Sequence, residues 1–140
     1  MSYISIYIHC VWGTKHREPI FLTSKQRKSI FQHIYEVAHR KGIIIDTIGG
    51  WQEHIHCLIA LNAMQPVGDV VRQLKGESSH WYNSLRKGHL VWQEEYFAAS
   101  VSASRLDVVR DYIRNQEEHH RHKTFAEEYA MFLKGLGLKP

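Results

Sequence analysis

The strongest chemical signal in this sequence is a pair of histidines, His54 and His56, separated by one isoleucine. The surrounding residues, 54–61, are mostly apolar and predict a β-strand. On a strand, residues i and i+2 point the same way, so both imidazoles should lie on one face while Ile55 and Cys57 enter the core. Two such imidazoles can hold a divalent cation, but a solvated polar face gives the same pattern. A metal site therefore requires a further ligand and a reacting group.

A later helix supplies candidates for both. Tyr112 and Gln116 are four residues apart and project from one side of that helix, whereas Leu106, Val109 and Ile113 form its apolar side. A tyrosine hydroxyl can attack phosphorus and form a covalent phosphodiester, and a glutamine carbonyl can bind a hard cation. Taken alone, Tyr112 is more typical of a boundary tyrosine with a buried ring and a solvated hydroxyl.

Three more histidines, His119, His120 and His122, lie at the end of the same predicted helix. Imidazolium is favoured there by the helix dipole. We therefore interpret them as helix-end residues rather than as a second metal site, with contacts to a DNA backbone as the functional alternative.

The elements that must position these residues follow from periodicity and capping signals. Residues 3–12 alternate between apolar and polar side chains, which predicts a half-buried strand with His9 on its polar side. Three pairs of residues with the spacing of a helix start predict where helices begin: Thr23 with Gln26, Ser104 with Asp107, and Thr124 with Glu127. The predicted elements are strands over 3–12, 43–48 and 54–61, helices over 23–42, 67–88 and 104–122, an extended segment over 90–102, and a helix from Thr124.

This order is β-α-β-β-α-β followed by two helices, and it predicts an α+β fold of the ferredoxin-like type. In that fold two helices cover one face of an antiparallel sheet. We expect the helix over 104–122 to lie against the other face or its edge.

Composition limits the function classes. The 140 residues indicate one domain, and 44% apolar with 23% charged residues is ordinary for a globular protein. The net charge of +4 permits a polyanionic partner without requiring one. Cys10 and Cys57 form no metal or disulfide pattern, which favours a reducing, intracellular environment. No apolar run is long enough for a membrane span, and we detect no signal peptide.

Together these residues resemble the single-tyrosine HUH transposases, the small insertion-sequence enzymes and their relatives associated with repetitive extragenic palindromes. The family signature of two histidines on either side of a bulky apolar residue is found at 54–56. The tyrosine of the family, with a glutamine four residues later, corresponds to Tyr112 and Gln116. Residues 11–17, 74–79 and 96–102 also look like the family, and 116–121 with Phe125 and Glu128 look like a subgroup of it. The resemblance spans residues 3–133 and implies one transposase domain over 1–140.

The resemblance implies a metal-dependent transesterification on single-stranded DNA. A Mg²⁺ or Mn²⁺ ion held by His54, His56 and Gln116 would polarise the scissile phosphate. Tyr112 would attack, form a 5′-phosphotyrosine and release a 3′ hydroxyl, and a second 3′ hydroxyl would reverse the step and rejoin strands. The family also implies DNA hairpin ends, a homodimer with sites sometimes assembled in trans, and a bacterial or archaeal cytoplasmic protein associated with the nucleoid. Glu53 would have a supporting role.

Six basic residues are candidate phosphate contacts, although each alone is more typical of a solvated surface charge. They are Lys15, Arg17, Arg72, Lys75, Arg86 and Lys87. Because the net charge is modest, DNA binding would require these charges to cluster.

Two other functions fit part of the pattern. A non-catalytic nucleic-acid module of the RNA-recognition type shares the element order and would stack bases on Tyr3 and Tyr7, but its aromatic-rich third strand is replaced here by histidines. A histidine-triad hydrolase needs a third histidine where Leu58 stands. A transposase relative that only binds DNA is a third alternative.

Overall fold

The computed structural model describes residues 2–85 and 89–137. Within these ranges the strands are β1 (Ile6–Gly13), β2 (Ile44–Gly50), β3 (His54–Leu61) and β4 (Phe97–Val101). The α-helices there are α1 (Ser24–Arg40), α2 (Val67–Leu85), α3 (Leu106–Arg114), α4 (Gln116–His119) and α5 (Phe125–Gly135), and short 3-10 turns cover Lys15–Arg17 and Ala103–Arg105. The predicted end of the second helix at Gly88 lies outside the described residues.

The four strands form one antiparallel sheet in the order β2-β3-β1-β4. This is the ferredoxin-like order, so the predicted fold class is confirmed. The two central strands are β3 and β1, and their register sets His54 opposite Gly13 and His56 opposite Val11. The histidine pair therefore lies on a central strand, at the end where β3 begins and β1 ends.

One face of the sheet carries the main hydrophobic core. Trp12 and Ile55 from the central strands pack there with Ile34 of α1 and Leu74 of α2, all of them fully buried. Thr23 caps α1 through a capping box with Gln26, as predicted. None of the helices in the described part of the chain is long and apolar enough to cross a membrane.

The opposite face is covered by the three C-terminal helices. Ile113 of α3 packs so close to β2 that a side chain at Gly49 would collide with the Ile113 carbonyl. Phe125 of α5 packs on Val11 and Phe97, and Gly13 permits this approach because a Cβ there would lie 2.6 Å from the Phe125 ring. As expected, the helical segment over 104–122 covers the open face of the sheet. The helix α5 covers more of the same face.

The structure differs from the predictions at several element boundaries, among them the end of β2 at Gly50 rather than at residue 48. The first strand begins at Ile6 rather than residue 3 because its partner strand β3 ends opposite Ile6, at Leu61. The segment 90–102 contributes one strand, β4, and an isolated bridge between Trp92 and Thr14. The predicted start at Ser104 is wrong, since α3 begins at Leu106 without a side-chain cap.

The predicted helix over 104–122 is divided at Asn115 into α3 and α4. The side-chain amide of Gln116 donates a hydrogen bond to the Tyr112 carbonyl at this break. Gln116 is itself 1% exposed and faces the sheet. The Gln116 side chain therefore contacts both the backbone of α3 and His54 of the sheet at this break.

Candidate functional site

His54 and His56 lie side by side on the helix-covered face of β3, and both side chains are fully buried. Their rings are 5.0 Å apart between centroids. The solvated-face interpretation of the pair is therefore wrong. These imidazoles need polar partners from the helices above them, because buried nitrogens without partners are costly.

Two oxygen donors approach the pair from α4 and α5. Gln116 Oε1 lies 3.1 Å from His54 Nε2. Glu128 Oε1 lies 3.1 Å from His56 Nε2 and 3.4 Å from His54 Nε2. Ligand atoms of the two histidines and Glu128 all lie within 4.8 Å of one another. The structure thus brings together the three predicted metal ligands and adds a carboxylate.

Glu53 fixes the orientation and tautomer of His54. The Nδ1–H of His54 donates to Glu53 Oε1 at 2.6 Å, which leaves the Nε2 lone pair directed at two oxygens. Lone pairs that face one another repel unless a proton or a cation lies between them. The donor set of two imidazoles, an amide oxygen and a carboxylate therefore fits a divalent cation, with Glu53 acting behind the ligand.

The charge states of the cluster support the same fit. Burial lowers the pKa of His56 to about 3 and that of His9 to about 4, so both rings are neutral near neutral pH. Burial alone would raise the pKa of the Glu128 carboxyl, but hydrogen bonds from His120 and His56 hold it below its usual range. Among the described residues, all ion-pair partners of Glu128 are histidines. The buried cluster thus combines an ionised carboxylate with the neutral rings of His56 and His9.

Tyr112 lies beside this cluster in the same chain. Its hydroxyl donates to Glu128 Oε2 and lies 3.3 Å from His119 Nε2, and its ring centroid is 5.7 Å from that of His56. Burial and the hydrogen bond to Glu128 raise the pKa of Tyr112. The hydroxyl is therefore protonated in this state and donates to the ionised carboxylate of Glu128.

Two site residues, His9 and Glu128, lay outside the predicted metal and nucleophile set. His9 Nε2 is 2.8 Å from His56 Nδ1, and Glu128 is the common neighbour of His54, His56 and Tyr112. The sequence signal for His9 is its place on the polar side of an alternating strand. Glu128 stands within the apolar stripe formed by Phe125, Tyr129 and Phe132, and a carboxylate at a core position of a helix is itself a signal.

The three later histidines lie in two different environments, since His119 ends α4 and His120 caps it, whereas His122 lies in the turn beyond. His120 is 2% exposed and contacts Gln116 Oε1 at 3.0 Å, and His119 contacts Glu128 Oε2 at 3.0 Å. These two residues form a second donor group with Glu128. His122 is 77% exposed, and its helix-end role stays a prediction. The break after α3 turns the first two histidines towards the sheet.

The candidate phosphate contacts are not equivalent. The Lys75 ammonium donates to the carbonyls of Gln93 and Glu94, so it supports the fold of that loop. Arg72 forms an exposed ion pair with Asp69. Lys15 and Arg17 are exposed in the turn after β1, and Arg86 and Lys87 lie outside the described residues.

The sheet order and a buried His-x-His pair next to a tyrosine helix fit the transposase family that the sequence resembles. The model of the family described as IS200-like transposase matches residues 2–116, and the chain belongs to this family. This match includes His54, His56, Tyr112 and Gln116 and ends before Glu128.

Three relatives agree with this assignment. The ISDra2 transposase TnpA of Deinococcus radiodurans is 24% identical over 117 residues, which cover 79% of this chain and 83% of that protein. The solved structure of a candidate transposase from the same species has a TM-score of 0.66 at 22% identity, covering 83% of this chain and 95% of that one. A REP-associated tyrosine transposase bound to a REP hairpin has a TM-score of 0.64 at 19% identity, covering 86% and 72%. The two structural matches show the shared fold.

Proposed function

We propose that this transposase cleaves and rejoins single-stranded DNA with Tyr112 as its nucleophile and a divalent cation, Mg²⁺ or Mn²⁺, as its cofactor. The observation that carries the proposal is the buried cluster in which Glu128 contacts both the metal-donor histidines and the Tyr112 hydroxyl. Nucleophile and candidate ligands are thereby held together by one side chain.

His54, His56, Gln116 and Glu128 would hold the cation, which would supply charge stabilisation to the scissile phosphate. The Tyr112 oxygen attacks phosphorus, and its proton passes to the hydrogen-bonded Glu128 Oε2. The new bond joins the tyrosine oxygen to the 5′ phosphate, and the bond to the 3′ oxygen breaks, so that this oxygen leaves as a hydroxyl after taking up a proton. A second 3′ hydroxyl reverses these steps and joins the strands.

The site within one chain bears on the expected homodimer. Tyr112 approaches His56 of its own chain, so this arrangement supports assembly of the active site in cis. A homodimer and DNA with hairpin ends remain part of the proposal, supported by the family resemblance and by a structural relative bound to a REP hairpin. Light scattering of the purified protein tests the homodimer independently of activity.

The binding-module alternative is disfavoured by the cover on the sheet. An RNA-recognition domain stacks bases on an open sheet face, whereas here α3, α4 and α5 cover the central strands. Leu58 stands fully buried at the place of the third histidine in a histidine-triad hydrolase, which removes that catalytic group.

The experiment that tests the function is a covalent-adduct gel. Purified protein is mixed with pooled, labelled single-stranded hairpin oligonucleotides and Mn²⁺, then denatured. We expect a labelled band at the protein's mass that is lost with EDTA, Tyr112→Phe or His56→Ala. The matched control Tyr35→Phe, an exposed tyrosine on α1, should retain the band.

An adduct that persists in Tyr112→Phe would show that another residue is the nucleophile. A native-gel shift of the hairpins without any adduct would favour the DNA-binding alternative.

A further inference from the structure

A cleft of about 450 Å³ opens at the end of β1, beside the candidate metal centre. Its walls include His16, Arg17, Gln93, Glu95, Phe125 and Tyr129. None of the predicted catalytic residues lines it. Its occupant would therefore contact a surface that the proposed cleavage chemistry does not use.

The cleft is separated from the metal donors by a single aromatic ring. Phe125 stacks in parallel on His54, with ring centroids 4.0 Å apart and an interplanar angle of 2°. The Arg17 guanidinium lies 5.9 Å from the centroid of the same ring. A group bound in the cleft would lie next to whatever the histidine pair holds.

The walls suit a nucleobase better than a phosphate. Arg17 and Glu95 carry opposite charges, so the cleft lacks the excess positive charge that a phosphate site needs. Phe125 and Tyr129 provide aromatic surface, with ring centroids 5.8 Å apart. Stacking surface combined with hydrogen-bonding side chains is how proteins bind unpaired bases.

The rim of the cleft is held in an unfavourable backbone conformation. His16 and Arg17 have φ values of 59° and 52°, in the left-handed region that non-glycine side chains rarely adopt. The Thr14 hydroxyl donates to the Glu18 carbonyl at 2.7 Å and closes this turn. Such conformations concentrate at binding and catalytic sites, where the surrounding structure maintains them.

We propose that this cleft binds an unpaired DNA base next to the scissile phosphate, and that it selects bases with an exocyclic amino group. The Glu95 carboxylate accepts a hydrogen bond from that amino group, Arg17 donates to a ring nitrogen or carbonyl, and the aromatic side chains stack on the base. Thymine has no amino group and would leave Glu95 unsatisfied. This inference rests on the proposed action on single-stranded DNA.

The test measures binding rather than cleavage. Fluorescein-labelled octamers of deoxyadenosine, deoxycytidine or thymidine are titrated with the full chain, and fluorescence anisotropy gives the three dissociation constants. We expect the adenine and cytosine octamers to bind about tenfold more tightly than the thymine octamer, the discrimination expected from one hydrogen bond to a charged group.

Two matched variants isolate the carboxylate. Glu95→Leu should remove the discrimination by weakening adenine and cytosine binding, and Arg17→Ala should weaken all three octamers. Glu94→Leu, also exposed but outside the cleft, should keep the discrimination. Circular dichroism confirms that each variant is folded.

Equal binding of the three octamers, no binding of any, or identical behaviour of Glu95→Leu and Glu94→Leu would overturn the proposal. The outcome is separable from that of the proposed function. Adduct formation without base discrimination would contradict the proposed base-binding cleft but support the proposed function. Base discrimination without any adduct would contradict the tyrosine chemistry but support the base-binding cleft.

Discussion

Glu128 is the residue on which the candidate site depends most. Its Oε1 faces the metal-donor nitrogens of His54 and His56, and its Oε2 faces Tyr112, His119 and His120. The side chain is 1% exposed. A buried carboxylate is retained only where partners compensate its desolvation, and here those partners are also the candidate catalytic groups.

Replacing Glu128 by glutamine should weaken Mn²⁺ binding by at least about tenfold, because it removes the carboxylate charge of the donor set but preserves the shape of the side chain. Isothermal titration calorimetry measures the affinity. Glu127→Gln is the control, since Glu127 caps α5 at Thr124 and glutamine preserves that cap. Unchanged affinity in Glu128→Gln would mean that the carboxylate only stabilises the metal-free histidines.

At the scale of elements, the position of α3 decides where the tyrosine points. Arg110 of α3 donates two hydrogen bonds to Asp46 of β2, at 2.9 and 2.8 Å. The next turn of the helix brings Ile113 against Gly49. These contacts attach α3 to the edge strand. This attachment determines the position of Tyr112 relative to the sheet.

The Asp46–Arg110 pair should make stability depend on pH. The hydrogen bond from Arg110 lowers the pKa of the Asp46 carboxyl in the folded state, so the stabilisation is present above the unfolded pKa and is lost as pH falls through the folded one. We expect Asp46→Asn to cost about 1 kcal/mol of unfolding free energy near neutral pH, and less in increasingly acidic buffer.

Urea denaturation over a pH series measures this difference. Asp111→Asn is the control, because the Asp111 carboxylate is 75% exposed and lies 3.9 Å from Arg114. A cost of Asp46→Asn that does not change with pH would contradict the ion-pair explanation.

At the scale of the whole molecule, the sheet is covered on both faces by helices of different function. The α1 and α2 side buries the main core, and the α3–α5 side buries polar groups that the proposed chemistry uses. The candidate ligands come from β3, α4 and α5, so a bound cation would link the C-terminal helices to the sheet.

Metal binding should therefore stabilise the folded chain as a whole. A cation at about 100 times its Kd adds about 2.7 kcal/mol, because it binds the folded state and not the unfolded one. Thermal melts followed by circular dichroism should show a higher Tm in Mn²⁺ than in EDTA. His56→Ala should lose this difference, and an equal Mn²⁺ effect in that variant would place the ion elsewhere.

Local patterns in the sequence determined much of this protein. Alternation on one strand placed His54 and His56 on one face, and the Thr23 and Thr124 capping boxes depend on residues three positions away. The helical spacing of Tyr112 and Gln116 is local in the same way. The order of elements was sufficient to predict the strand order of the sheet, because the rules for connections between strands allow few arrangements of this pattern.

Only the tertiary structure decided the remaining features. His9 and Glu128 meet His56 across 47 and 72 residues of chain, and no local pattern specifies a contact over that distance. The break at Asn115 and the inward turn of His119 and His120 have the same origin, since helix propensity alone would continue the helix. The site is completed where packing of α5 on the sheet brings distant residues together, and that packing is a property of the whole fold.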